Sequence, residues 1–286
     1  MTKPLSVLEF FKEFPDDETC LEHLMQTRYG NPLKCPKCGK HGKFSKIKKM
    51  PAYQCAWCGH HIHPMAGTPF ESSRTPLQKW FYAIYLFTTS RHGVPAKELQ
   101  RQLSVTYKTA WRMGHEIRKY MGKVDGDSGL GGHVEVDETY VGGKKKGVVG
   151  AASYKYKGIV FGMVERGGDI MTKVVPDVKN KTLLPIIVEN IEQGTMISSD
   201  EMHTYKSLPR LGYQHGAVMH NIKQYVKGVH HTNTLENFWS RLKNSIRGTH
   251  IHVSRKHLPK YLAEFEYRYN MRSNPSLMFE KLLKAF

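Results

Sequence analysis

His133-Val134-Glu135-Val136-Asp137-Glu138-Thr139-Tyr140-Val141-Gly142-Gly143 is the stretch whose reading decides the fold. Val134, Val136 and Tyr140 alternate with Glu135, Asp137 and Thr139 at period two, the pattern of a strand, and the two glycines close it. Three carboxylates fall within four positions. Acidic residues form strands poorly, and like charges this close raise one another's pKa unless something positive lies between them. An exposed edge strand with solvated acids is one reading. A divalent-metal ligand at Asp137 is the other, and residues further along the chain favour it.

Beyond Asp137 the pattern runs strand, strand, helix, strand. Gly158–Val164 and Ile170–Val175 are β-rich runs joined at Arg166-Gly-Gly-Asp169, a good hairpin turn. Thr182–Ile191 reads as an apolar helix, and Met196-Ile-Ser-Ser-Asp200 as a strand that ends in an acid, where open α/β sheets place their sites. Lys144, Lys145 and Lys146 are candidates to grip a phosphate backbone, with a solvated loop as the plain alternative. From Thr234 to Gly248, the residues Leu235, Phe238, Trp239, Leu242 and Ile246 recur at helical spacing, and Gly248 is the expected stop. Glu236 borders that apolar stripe. Lys243 follows two turns later on the same side, roughly 10 Å along the axis, so one residue can reach a metal and the other the phosphate beside it. Ser254–Arg272 has Leu258, Tyr261, Leu262, Phe265 and Tyr269 on one side and is expected to pack on the sheet. Asn274-Pro275 breaks it, and Leu277–Phe286 is a short amphipathic tail with a second subunit as one possible partner.

Upstream, four of the five cysteines form two pairs, Cys35-Pro-Lys-Cys38 and Cys55-Ala-Trp-Cys58, separated by 16 residues, which is the spacing of a zinc site. Gly39 and Gly59 follow the pairs, where the backbone must fold back to aim two sulfurs at one ion. Four thiolates complete a tetrahedron, so His60, His61 and His63 are left out of it. With almost no core of its own, such a ribbon needs the metal for folding, not for chemistry. Lys34, Lys37, Lys40, Lys43, Lys46, Lys48 and Lys49 surround it, interleaved with Phe44 and Tyr53, as in a phosphate-contacting module. Cys20 stands alone among Leu21, Leu24 and Met25 and is expected to be buried. A helix opens near Thr75-Pro76 with Trp80, Phe81, Ile84, Tyr85 and Phe87 as its apolar surface. Val94–Gln102, a break at Leu103-Ser104-Val105, and a helix capped by Thr106 and reaching about Met121 have the shape of a helix-turn-helix. Its second helix carries Tyr107, Lys108, Arg112, Arg118 and Lys119, side chains suited to reading a groove; a small linking bundle is the alternative.

Composition agrees with a nucleic-acid partner. The 286 residues are 40% hydrophobic, enough for a substantial core and more than one domain, and the net charge of +18 makes a polyanion the expected partner. No basic helix has the clean apolar face of a membrane anchor, no window approaches about 20 apolar residues, and Met1–Phe14 does not read as a secretory signal, so the expected location is the cytoplasm.

Asp137, Asp200 and Glu236 are separated by 62 and 35 residues, with Lys243 seven beyond the glutamate. That second spacing resembles the DDE signature of transposases and retroviral integrases, which sit on a ribonuclease-H-like fold. The order of cysteine pairs, two helices, Val134–Gly143, Ser198-Ser-Asp200, His231-Thr-Asn-Thr-Leu-Glu236-Asn-Phe-Trp239 and Tyr267-Arg-Tyr-Asn-Met-Arg272 is more specifically similar to the bacterial insertion-sequence transposases of the ISXO-two-like kind, over about residues 15–275. The resemblance implies a multidomain α/β chain. Its expected parts are an N-terminal helical segment (1–30), a zinc ribbon (31–70), a helix-turn-helix region (75–122), a linker (123–132), and a ribonuclease-H-like catalytic domain with C-terminal helices (133–286). It implies catalysis by Asp137, Asp200, Glu236 and Lys243. Some members place a residue other than glutamate third, which makes Asn233 a lesser candidate.

Oxygen-only ligands suit magnesium, with manganese as a substitute. The implied chemistry is in-line phosphoryl transfer assisted by two ions: a transposon end is nicked, and the freed 3′ hydroxyl joins target DNA. The implied partners are double-stranded DNA, both terminal inverted repeats and target, contacted through Lys108, Arg112, Lys144, Lys145 and Arg247, and further copies of the chain in a synaptic complex. Two other classes fit parts of the sequence: a DNA-binding regulator with an inert third domain, and a tyrosine-dependent nicking enzyme using His61-Ile-His63 or His250-Ile-His252.

Overall fold

Two compact units make up the chain, residues 1–124 with 273–286 and residues 125–272, in a computed structural model that describes residues 5–30, 33–124, 129–142 and 157–286. In the first unit, α1 (Val7–Glu13) starts from a capping box in which Ser6 and Glu9 each accept the other's backbone N–H. α2 (Asp17–Tyr29) starts from Asp16, whose carboxylate accepts from Thr19 N at 2.8 Å, and it buries Cys20, Leu21, Leu24 and Met25. β1 (Phe44–Lys46), β2 (Tyr53–Cys55) and β3 (His61–Ile62) form an antiparallel sheet in that order. α3 (Leu77–Thr89) buries Trp80, Phe81, Ile84, Tyr85 and Phe87, the residues its periodicity singled out.

α4 (Ala96–Leu103) ends at Ser104, whose φ of +49° turns the chain, and Thr106 caps α5 (Tyr107–Val124) by accepting from Thr109 N at 3.2 Å. The break and the cap fall where the sequence puts them. Arg118 is a correction. It is 2% exposed, donates to Val94 O at 3.0 Å and lies over the Phe87 ring, so it braces the helices and presents nothing outward.

The second unit is built on a five-stranded sheet of β4 (His133–Val141), β5 (Gly158–Glu165), β6 (Ile170–Val175), β7 (Met196–Ser199) and β8 (Gln214–Ala217), in the order β6-β5-β4-β7-β8. β4 pairs antiparallel with β5 and parallel with β7. It is therefore central, and the exposed-edge reading of its acids does not hold. On one face Val134 and Val136 pack with Phe161, Met163, Ile197 and helix α6 (Asn180–Asn190). On the other, Val141, Val160 and Val164 pack with α7 (Asn233–Ser245) and α8 (Leu258–Asn270) through Leu235, Trp239, Leu242, Leu258 and Leu262. α7 does not stop at Gly248; it loosens into a π-helical turn over Ile246–His250, and Ile251 takes the positive φ.

The tail corrects a boundary. Helix α9 (Met278–Ala285) belongs to the first unit, where Phe279 meets the rings of Phe10, Phe14 and Phe81, and Phe286 those of Phe70 and Tyr120. Its apolar face is thus used within the chain's own core. No helix among the described residues is long and apolar enough to cross a membrane.

Candidate active site and metal centre

The parallel pairing sets Val134 beside Ile197 and Glu135 beside Ser198, so the same register carried two residues further brings Asp137 to Asp200, just past the end of β7. Asp137, Glu138 and Asp200 each offer a carboxylate oxygen, all within 4.8 Å of one another. Burial, then the neighbouring Asp200 charge, pushes the Asp137 carboxyl up to about 7, against the Glu138 N–H and Trp239 indole that donate to it; Glu236 adds a smaller push. Burial lifts Glu138 to about 8, with the Tyr205 hydroxyl donating to it and the charges of Asp200 and Asp137 opposing ionisation. Asp200 is raised by burial too, while the Met202 N–H at 3.0 Å favours its charged form. Three acids that resist ionisation in a half-dry corner are the donor set a hard cation stabilises.

Trp239 reaches this corner because Gly162 lets it. Asp137 pairs across the ladder with Gly162, and a Cβ there would come within 2.4 Å of the Trp239 ring. The missing side chain admits the indole, which donates to Asp137 Oδ2 at 3.0 Å. A glycine inside an apolar strand run is the sequence signal for such close approach.

Glu135, two residues before Asp137, has another task. It is fully buried, and its oxygens accept from Thr234 N (2.9 Å), Leu235 N (3.2 Å), Thr234 Oγ1 (2.9 Å) and Arg166 Nε (2.7 Å). α7 has no side-chain cap of its own at Thr232, so a carboxylate from the central strand caps it instead. Arg166 completes the joint by donating to Val229 O and His231 O at 2.7 and 3.0 Å. This tie fixes the start of the helix that carries Glu236, Trp239 and Lys243.

Glu236 lies in the first turn of α7 but is not among the three closely grouped acids; it accepts from Thr232 Oγ1 at 3.0 Å, with His220 Nε2 at 3.5 Å. Asn233 is the exposed first residue of the same helix. Lys243 is half-buried, which lowers its pKa, while the Asp137 charge acts the other way and the charges of Arg247 and Lys157 oppose it. Sequence reasoning missed Glu138 as a partner of Asp137 and Asp200, and with it Tyr205 and Glu135. Glu138 sits on the opposite side of the strand from Asp137 by alternation, yet both offer an oxygen within 4.8 Å of Asp200, just past the end of β7.

In the first unit the four cysteines form their own group, Cys35 Sγ and Cys58 Sγ 3.7 Å apart and Cys38 Sγ and Cys55 Sγ 3.9 Å apart. A tetrahedron with metal–sulfur bonds of about 2.3 Å has edges of about 3.8 Å, so the cage fits zinc. Both loops are built alike: Gly39 N donates to Cys35 O and Gly59 N to Cys55 O, each at 2.9 Å, with φ of +71° and +66° at the glycines. Backbone N–H groups of Cys38 and Lys37 aimed at Cys35 bring its thiol down to about 7, while, against the His60 N–H, burial and the neighbouring sulfurs push Cys58 up to about 11, so the cage by itself divides its charge unevenly. Lys108 and Arg112 are exposed on α5, Arg112 also touching Ser73 Oγ at 3.3 Å, and Arg247 is exposed just after α7. Lys144 and Lys145 lie outside the described residues.

Comparison with known proteins adds independent support. A family model described as the ISXO2-like transposase domain matches residues 129–270, and one described as the transposase zinc-ribbon domain matches residues 15–61. The chain is similar to an uncharacterized protein in transposable element ISH50 of Halobacterium salinarum, 24% identical over 92% of this chain and 94% of that protein. It is also similar to an uncharacterized transposase-like protein of Haemophilus influenzae, 29% identical over 35% of this chain and 80% of that protein.

Proposed function

Because the chain belongs to the ISXO2-like transposase family, with a zinc-ribbon domain ahead of its transposase domain, we propose that it nicks the ends of an insertion sequence and joins the freed 3′ hydroxyls to target DNA. The observation that carries this reading is the convergence of Asp137, on β4, with Asp200, just past the end of the parallel neighbour β7, and with Glu138 in the same acidic corner. The strand order, three antiparallel strands followed by two parallel ones, supports a ribonuclease-H-like catalytic fold.

In this reading Asp137, Asp200 and Glu236 hold magnesium, or manganese in its place, with Glu138 a fourth donor and Asn233 a lesser one. The metal, when bound, neutralises the phosphodiester and assists both the attacking and the leaving oxygen. The protein's own groups fix the geometry. Trp239 and Tyr205 direct the carboxylates of Asp137 and Glu138, Glu135 holds α7 in place, and Lys243 takes a non-bridging phosphate oxygen next to the acids. Hydrolysis of one phosphodiester releases a 3′ hydroxyl, which then displaces a 3′ oxygen of the target strand. One phosphodiester is exchanged for another and no covalent protein intermediate is required.

Zinc in the Cys35, Cys38, Cys55 and Cys58 cage stabilises the ribbon, while α4 and α5 act as a helix-turn-helix that contacts terminal repeats through Lys108 and Arg112. Lys144, Lys145 and Arg247 are assigned to backbone contacts near the acids. Pairing of two ends calls for an oligomer, and the work is done in the cytoplasm on the nucleoid.

The test is to incubate the protein with the DNA flanking its gene and a supercoiled target, with and without magnesium. Asp137→Asn, Asp200→Asn and Glu236→Gln are each expected to abolish nicking and joining while end binding persists. Full activity in any one removes that residue from the site, and a covalent protein–DNA adduct refutes the mechanism.

A further inference from the structure

Met219–Val229, between β8 and α7, gathers a third of the large apolar side chains that stand exposed among the described residues, five of fifteen. Met219, Ile222, Tyr225, Val226 and Val229 stand 41% to 65% exposed within eleven residues, next to Lys223 and Lys227. The segment is nevertheless anchored. At its start Glu201, the neighbour of Asp200, accepts from His220 N at 2.8 Å and Asn221 N at 3.2 Å, and His220 lies 3.5 Å from Glu236. At its end Arg166 donates to Val229 O, and His230 Nδ1 lies 2.8 Å from Ser198 Oγ with its ring against Gly216, where a Cβ would come within 2.3 Å. Between the anchors the backbone makes two small turns, bridged Met219 to Gln224 and Lys227 to His230, with Lys223 and Gly228 at positive φ. Five exposed apolar side chains on one braced loop beside the acids are the kind of surface that marks a contact site.

The charge pattern selects the partner. From Met202 to Leu235 there is no aspartate or glutamate, while Lys206, Arg210, Lys223 and Lys227 fall in that interval. A second copy of a chain with net charge +18 is a poor match for this stretch, and a polyanion with stackable flat faces is a good one. We propose that Met219–Val229 is a wedge for the DNA end: Ile222, Tyr225 and Val226 press against bases unstacked beside the scissile phosphate, and Lys223 and Lys227 hold the flanking backbone. Apolar side chains pushed into a base step open it, and an aromatic face then stacks on the freed base. The work of opening a terminal pair is thereby done by a part of the protein that takes no part in the phosphoryl transfer. The inference rests on the reading of the second unit as a DNA-cleaving domain.

The test uses the full chain, a duplex of its own flanking DNA with 2-aminopurine at successive positions around the cleavage junction, and the triple variant Ile222→Ser, Tyr225→Ala, Val226→Ser, all at exposed positions, with the Tyr225 ring also meeting that of His220 at 5.4 Å, so that rescue by a mismatch is what separates the wedge from a disturbed His220. In calcium, wild type is expected to raise the fluorescence at one or two positions next to the junction, and the variant is not. In magnesium the variant is expected to nick a paired end about tenfold more slowly and to recover to within about twofold on an end mismatched at those positions, as loss of one stacked base predicts. Nicking of the paired end at the wild-type rate, or a defect that mismatches do not relieve, overturns the wedge. Nicking by wild type without any fluorescence rise also overturns it and leaves the cleavage reading standing; a rise without nicking supports the wedge and sinks the cleavage reading. A variant that changes sedimentation mass and not fluorescence marks the loop as a subunit contact, again overturning the proposal.

Discussion

Glu135 offers the sharpest prediction, because its replacement by glutamine or alanine removes different parts of one joint. A glutamine whose carbonyl oxygen takes the Oε2 position keeps the bonds from Thr234 N and Leu235 N and turns its amide toward Arg166 Nε. The Thr234 hydroxyl can rotate to accept, and Arg166 retains the carbonyls of Val229 and His231. The charge-assisted bond from Arg166 Nε is lost, and the amide also replaces the oxygen that His231 Nδ1 faces at 3.1 Å, so Glu135→Gln is expected to cost about 2 kcal/mol. Alanine leaves two α7 amides and the Arg166 guanidinium without their acceptor in a site from which water is excluded, and is expected to cost about 4–5 kcal/mol. Urea unfolding measures the loss, and hydrogen exchange by mass spectrometry locates it. Exchange should accelerate first in the peptide that covers Thr234 and Leu235, and nicking should fall because Glu236, Trp239 and Lys243 ride on that helix. If Glu135→Ala unfolds within about 1 kcal/mol of wild type and leaves exchange at the α7 start unchanged, the cap is not what holds the helix.

Three further outcomes follow from the same geometry. Gly162→Ala forces a methyl into the Trp239 ring, and an overpacking loss of about 1–3 kcal/mol is expected, together with a shift in the emission of Trp239, the tryptophan of residues 125–272, read in a background where Trp57, Trp80 and Trp111 are phenylalanine. Asp137 and Glu138 have folded-state pKa values raised to about 7 and about 8, so the folded state holds protons that the unfolded chain has already released; without metal, stability should fall as pH rises from about 4 to 8, and magnesium should raise the melting temperature most at pH 8. A melting temperature indifferent to magnesium at that pH contradicts a cation site there. Cys35→Ser or a strong chelator should melt β1–β3 and leave the exchange protection of β4 and β5 as it was, since those three strands are only two or three residues long and lie in the other compact unit; protection lost equally in both regions would show that the cage supports more than the ribbon.

The division between what could be read along the chain and what could not follows the range of each interaction. Periodicity alone located the strand at Val134–Val141, the hairpin at Arg166–Asp169, the apolar faces of α3, α7 and α8 and the cap at Thr106, because each depends on neighbours a few residues apart. Cysteine spacing anticipated the gathering of the four sulfurs for the same reason, since each pair is one turn. What needed the tertiary structure was everything decided across the sheet. Burial of both faces of β4 follows from its place between β5 and β7, and Arg118 turns inward because the Val94 carbonyl, in the loop before α4, and the Phe87 ring receive it. α9 joins the first unit because aromatic rings from α1 and α3 receive it. Glu135, Asp137 and Glu138 look alike in sequence, three acids in a row of four. One becomes a helix cap, one a partner of Trp239 and one a partner of Tyr205, because a carboxylate's role is set by the donors and charges that other strands and helices bring within about 3 Å of it, and spacing along the chain does not encode those.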